Sequence, residues 1–262
     1  MADAALAMNA SQLSTVIRKM RDDVSRKAPA LAEDLNLEER ARRFFAHYWE
    51  TFEALQAKGA LHPELGRTED RWDAWNEGAQ FATEWARSNP GPLAPGDYWS
   101  FVRQLHVRTV GASAGRGFMS PELLGLTHID TGSSLMGLPL LHYSPASATR
   151  RLAEIDAWLV AHDGASPPED IASRAYLDYV EVHPFHDGNG RTWRLGSDAL
   201  LERHGIEAPF WEQEQPVKKL PDGPVDPIAW KNELLNGIRR HLFVVERYWR
   251  VAHGAPSTGT DS

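Results

Sequence analysis

The chain has 262 residues, no cysteine and a formal net charge of −8. Disulfide staples and thiolate zinc sites are therefore excluded, and the acidic balance argues against general nucleic-acid binding. A globule of this length buries ~70–75% of its extended-chain surface, so one large domain or two small ones can build a core without staples. Met1–Met8 is apolar but short and lacks leading basic residues, so it reads as a poor signal peptide. No run approaches the ~20 apolar residues that span a bilayer. These features fit a reducing cytosol, that of the producing cell or of a cell into which the chain is delivered. The sequence leaves a homo-oligomer open.

Ser11–Lys27 has Leu13, Val16, Ile17 and Met20 at helical spacing, and Lys27-Ala-Pro29 ends it. Glu38–Lys58 predicts a longer helix with Phe44, Phe45, Tyr48, Trp49, Phe52 and Leu55 along one face, stopped by Gly59. Gly59–Gly66 reads as a loop. Thr68-Glu-Asp-Arg71 reads as a helix start with acids in its first turn, and that helix runs to about Arg87. Asp97 is a candidate N-cap for Tyr98–Val110, and Ala112–Gly117 reads as a loop. Leu124–Asp130 and Leu138–Tyr143 read as a β-hairpin, or as two extended segments, around Thr131-Gly-Ser-Ser134. Ala146–His162 is amphipathic through Leu152, Ile155, Trp158 and Leu159. Glu169–Val182 and Asn189–His204 are the next helices, the second stopped by Gly205. Ile206–Pro227 reads as an irregular connection. Pro227–Arg250 is a final helix with Leu234, Leu235, Ile238, Leu242, Val245 and Trp249 on its buried stripe. His253–Ser262 reads as a disordered tail. The fold class is all-α, a helical bundle with one small β-hairpin. Most of the ten tryptophans are expected in the core.

Between the helices before and after it, Val182–Leu195 reads V-H-P-F-H-D-G-N-G-R-T-W-R-L. Each residue type suits polyphosphate chemistry. His183 can accept a proton near neutral pH. Asp187 offers hard oxygens that suit Mg²⁺ bridged to phosphates. Gly188, Asn189 and Gly190 can turn consecutive N–H groups into an anion nest, and a following helix adds its N-terminal partial charge. Arg191 and Arg194 are three apart and share a helix face, where they can fork onto phosphate oxygens. An alternative takes His183, His186 and Asp187 as an H-x-x-H-D metal cluster for phosphoester hydrolysis. It needs further ligands elsewhere and leaves the glycines and arginines unexplained.

This stretch resembles the signature of Fic-domain proteins, H-P-F-x-[DE]-G-N-[GK]-R-x-x-R. His183, Pro184, Phe185, Asp187, Gly188, Asn189, Gly190, Arg191 and Arg194 match it, and His186 fills the free position. The resemblance implies transfer of AMP from ATP to a hydroxyl of a protein target. It implies His183 as general base, Asp187 as the Mg²⁺ ligand, the glycine turn and Arg191 on the α/β-phosphates, Arg194 on the γ-phosphate, and Phe185 as the loop's anchor. Gly190 favours nucleotide transfer, because phosphate-transferring relatives tend to carry Lys there. Transfer of UMP or phosphocholine, a small-molecule acceptor, and a binding module without turnover remain alternatives. Leu105-His106 also resembles a family position. By the same resemblance, 124–143 is the flap on which the target docks as an added strand.

Many relatives carry an inhibitory [ST]-x-x-x-E-[GN] motif whose glutamate pairs with the second arginine. Glu77-Gly78 resembles it, with Asp73 in place of Ser or Thr. Glu77 is thus the candidate restraint on Arg194. The expected organisation is N-terminal helices over 1–94 with an inhibitory helix at 68–87, a Fic-like core over 95–204, a C-terminal connection and helix over 205–252, and the tail. Trp193 stands where relatives often have a small residue, and either narrows the nucleotide pocket or packs outward.

Overall fold

The computed structural model describes residues 7–45, 61–110, 145–182, 184–185, 188–211 and 227–254. Its helices among these are α1 Ala10–Lys27, α2 Pro29–Phe45, α3 Leu61–Ser88, α4 Asp97–Val110, α5 Pro145–His162, α6 Pro168–Val182, α7 Asn189–Arg203 and α8 Pro227–Ala252. The hairpin expected at 124–143, most of the 38–58 aromatic stripe and the tail from 255 lie outside the described residues.

Asn9 starts α1 with a capping box. Its Oδ1 accepts the Gln12 N–H at 2.9 Å, and Gln12 Oε1 accepts the Asn9 N–H at 3.0 Å. The chain then turns at Ala28, and Pro29 opens α2, because a first-turn proline lacks only an N–H that would be unpaired anyway. The helix expected from Glu38 therefore begins nine residues earlier. A similar correction applies to α3. Gly59–Gly66 is not a loop throughout, since α3 begins at Leu61 and places Pro63 in its first turn. One internal glycine, Gly66, costs about 1 kcal/mol and does not stop a helix of this length. Asp97 is the first residue of α4 rather than the cap before it, and its carboxylate reaches back to the Ala94 N–H at 3.0 Å.

Helix α7 is the centre of the bundle and packs on α6, α3 and α4. All its residues except Gly190 and Glu202 are buried. Helix α8 lies along α1 and also touches α6 and α2. Leu13, Ile17 and Val24 of α1 and Leu234, Ile238 and Val245 of α8 are fully buried. Trp75, Trp193, Trp211 and Trp230 are core residues, and Trp72, Trp85, Trp99, Trp158 and Trp249 pack against the core while partly buried. No described helix is long and apolar enough to cross a membrane.

A polar knot joins α1, α2 and α8. Glu39 Oε1 accepts from Arg21 Nη2 at 2.8 Å and from His241 Nε2 at 2.8 Å, while His241 Nδ1 donates to the Ala208 carbonyl at 2.9 Å. Burial pushes the Glu39 carboxyl up, but His241 and Arg21 outweigh it and hold it at about 2, below its ordinary 4.5. A carboxyl depressed in the fold stabilises it above the unfolded value and ceases to do so as pH falls through the folded one. Stability should therefore fall between about pH 4.5 and pH 2, by an amount of order 3 kcal/mol from this group. Urea unfolding across that window should show a shallower fall in Glu39→Gln. An unchanged slope would remove Glu39 as the cause.

Candidate active site

Helix α6 ends at Val182, and Pro184 prevents its simple continuation. His183, His186 and Asp187 lie outside the described residues. The loop around them is fixed at both ends. The Phe185 N–H donates to Asn189 Oδ1 at 3.0 Å, and Asn189 Nδ2 donates to the Phe185 carbonyl at 2.6 Å. The Asn189 side chain is thus consumed as a clamp across the loop, which leaves backbone N–H groups as this turn's means of holding an anion. Gly188, at φ 78°, is the left-handed residue before α7, a conformation that a side chain would strain. Its carbonyl accepts the Thr192 N–H at 2.9 Å and starts the helix ladder.

Phe185 is 1% exposed. Its ring stacks on His106 of α4 at 3.8 Å, with Trp193 at 5.6 Å and Trp99 at 5.9 Å. Trp193 is buried and stacks on Tyr179 at 4.1 Å, so it does not pack outward. Beside the loop, Ser100, Arg103, Gln104, His106, Val107 and Phe185 line an opening of about 270 Å³.

Arg191 and Arg194 rise from the first turns of α7, and both are buried. Nε and Nη1 of Arg194 are enclosed without a hydrogen-bond partner among the described residues. Unpaired buried donors on a cation are costly unless an anion arrives to meet them. One turn on, Asp198 Oδ2 accepts from Arg43 Nη2 of α2 at 2.7 Å, while Asp198 Oδ1 has no partner among the described residues. Burial pushes the Asp198 carboxyl above its ordinary value, against the pull of Arg43 and Arg194. No group of three or more His, Cys, Asp or Glu gathers as a metal cage among the described residues.

Glu77 is not on Arg194. Its carboxylate lies 4.0 Å from Arg108 of α4 with 68% of the side chain exposed. Gly78 has a packing reason of its own. A Cβ there would meet Thr109 Oγ1 at 2.4 Å, so the glycine lets α3 and α4 close on each other. We expect Glu77→Gly to leave any nucleotide transfer within about twofold of the native rate, since an exposed ion pair of this kind is worth roughly 0–1 kcal/mol. A large rise in self-modification would instead restore Glu77 as a restraint through a conformation other than this one.

The Fic/DOC family model matches residues 101–201, which run from within α4 to within α7 and include the loop. Residues 101–201 thus resemble a Fic/DOC domain. The "Protein adenylyltransferase Fic" of Drosophila ananassae is 33% identical over 75 residues, 28% of this chain and 15% of that protein. The protein of the same description from Nematostella vectensis is 34% identical over 64 residues, 24% of this chain and 15% of that protein. The match thus spans only about a seventh of the length of these curated relatives. Among solved structures, a Fic domain containing signaling protein from Bacteroides thetaiotaomicron aligns with TM-score 0.56 at 18% identity, over 93% of this chain and 99% of that one. Fic-1 (aa134–508) from C. elegans aligns with TM-score 0.51 at 16% identity, over 90% and 70%. These likenesses carry the fold, and the Fic all-α arrangement extends beyond the matched segment.

Sequence reasoning brought Phe185, Gly188, Asn189, Arg191 and Arg194 together, and the structure places them at one end of α7. It missed Asp198 and Arg43. Asp198 was accessible as the acid four residues after Arg194, whereas Arg43 lies 155 residues away in sequence and left no local signal.

Proposed function

We propose that this chain transfers AMP from ATP to a Ser, Thr or Tyr hydroxyl of a protein target. The observation that carries the reading is Arg194, a buried cation on the first turns of α7 with two donors unmet. The likeness to protein adenylyltransferases supports the nucleotide.

In this reading Arg194 meets the γ-phosphate and Arg191 the α/β-phosphates, with the N–H groups of Gly188–Gly190 and the start of α7 beneath them. Asp187 is the carboxylate that would hold Mg²⁺, which supplies charge neutralisation on the phosphates. The Asn189 clamp on Phe185 keeps the loop's N–H groups in one arrangement, so little reorganisation accompanies reaction. His183 takes the proton of the target hydroxyl. The oxygen attacks the α-phosphorus, the new O–P bond forms, and the bond to the β-phosphate oxygen breaks to release pyrophosphate. The target segment approaches along the 124–143 flap. We place the reaction in a cytosol, the cell's own or a recipient's.

Intact-protein mass spectrometry with Mg²⁺ and each NTP in turn, followed by labelling of a cell lysate, tests the reading. An AMP adduct formed only with ATP supports it. Adducts from UTP or from a phosphocholine donor would keep the site and change the donor. No adduct on the chain and no label in the lysate would overturn turnover and leave a binding module.

A further inference from the structure

Arg194 and Asp198 lie one turn apart on α7, both buried, and each keeps enclosed polar atoms unmet: Nε and Nη1 on one, Oδ1 on the other. Side chains at i and i+4 are neighbours on a helix, so a guanidinium and a carboxylate so placed would ordinarily close on each other. They do not. Arg43 has claimed the acid, at 2.7 Å between Nη2 and Oδ2, with the two side chains 16% and 4% exposed. Arg43 is itself held in place. Glu202 lies 4.0 Å away, and its guanidinium carbon stands 6.0 Å from the Trp75 ring centroid. Glu39, one turn earlier on α2, is engaged by Arg21 and His241 and does not compete for it.

We infer that Arg43 is a positioning residue: by holding Asp198 it keeps that carboxylate from neutralising Arg194, and so leaves the Arg194 guanidinium available to the terminal phosphate of a nucleoside triphosphate. This rests on the phosphate reading given above. A carboxylate already paired with one arginine acts on the next as a weak dipole rather than as a free anion. Asp198 and Glu202 both face Arg43, and Arg194 is left with Nε and Nη1 unmet among the described residues. The preference for a triphosphate over a diphosphate then depends on α2, which lies outside the 101–201 match.

Isothermal titration with ATP and with ADP, each with Mg²⁺, tests this on the native chain, Arg43→Met, Arg43→Lys and Arg43→Met/Asp198→Asn. Native protein should bind ATP more tightly than ADP. Arg43→Met should lose at least about 10-fold in ATP affinity and less than about 2-fold for ADP, because the freed Asp198 captures Arg194. The double variant should recover ATP affinity to within about 3-fold, since no acid remains to capture it, and removing both partners of a buried pair is better tolerated than removing one. Should Arg43→Met fail to fold, Arg43→Lys carries the test. Its less directional ammonium should weaken the hold on Asp198 and lower ATP affinity about 3-fold while sparing ADP. Parallel loss of ATP and ADP binding would mark a merely structural pair and overturn the inference. So would an unchanged ATP preference in both single variants, or a double variant no better than Arg43→Met. Native protein that binds ATP no better than ADP would overturn the phosphate reading itself.

Discussion

Replacing His183 with Ala is expected to lower AMP transfer at least ~10²-fold, the lower end of what a positioned general base contributes, while ATP affinity stays within about twofold. The asymmetry follows from where the residue lies. It comes directly after Val182, the last residue of α6, and α6 is packed between α5, α7 and α8. The loop that follows is clamped at Phe185 by Asn189 and seated by the stack on His106 and Trp193. Removing an imidazole from such a frame should leave the phosphate-binding end of α7 as it was. Single-turnover transfer and calorimetric ATP binding, measured on the same preparation, separate the two quantities. Near-native turnover would remove His183 as the base. Lost ATP binding with the fold intact would make it a binding residue instead.

Arg203→Ala should be the most destabilising single change at the far end of the same helix, by about 3–5 kcal/mol. The Arg203 side chain is 1% exposed and Asp163 is 2%. The guanidinium donates to both Asp163 oxygens at 3.2 and 3.1 Å, to the Asn89 carbonyl at 2.7 Å and to the Gly91 carbonyl. It also lies over the Trp85 ring at 5.4 Å. Asp163 in turn accepts the Leu93 N–H at 2.9 Å and meets His204 Nε2 at 3.0 Å. One side chain thus ties the end of α7 to the end of α5 and to the segment between α3 and α4. Truncating it leaves a buried carboxylate without its main counter-charge and two carbonyls without donors. Differential scanning calorimetry should show the midpoint falling by roughly 10 °C. Arg203→Lys should recover only part of it, because an ammonium lacks the planar fork that spans these acceptors. A midpoint within a degree or two of native would show that the cluster contributes little.

Much of this fold is legible in the amino-acid order, and the misreadings share causes. Helices α1 and α4 to α8 follow their apolar spacing and end near the expected residues, because Pro29, Gly205 and the prolines around 167–168 punctuate them. The starts of α2 and α3 were misplaced because a proline in a first turn looks, in sequence, like a proline that ends one. Glu77-Gly78 looked like a motif, and the structure gives its glycine a different reason, the close approach of Thr109. The residues of the loop and of α7 were legible because one motif carries them all. The partners that set their surroundings were not. Asp163 and Arg203 are 40 residues apart and Arg43 and Asp198 155, and pairs of that kind are made by packing rather than by any local pattern. Phe185 and Asn189 are only four apart, but a clamp between a side chain and a backbone leaves no periodicity to read.

The pairing of α1 with α8 has a consequence in time during synthesis. The face of α1 that carries Leu13, Ile17, Met20 and Val24 rests largely on a helix that starts at Pro227. At ~5–20 residues per second, a ribosome needs roughly 10–40 s to travel from one to the other. Through that interval α2 is the main described helix beside the newborn amphipathic helix, and much of its apolar stripe waits for a partner not yet made. The nascent chain should therefore be a chaperone client until α8 emerges, and these helices close on one another only then.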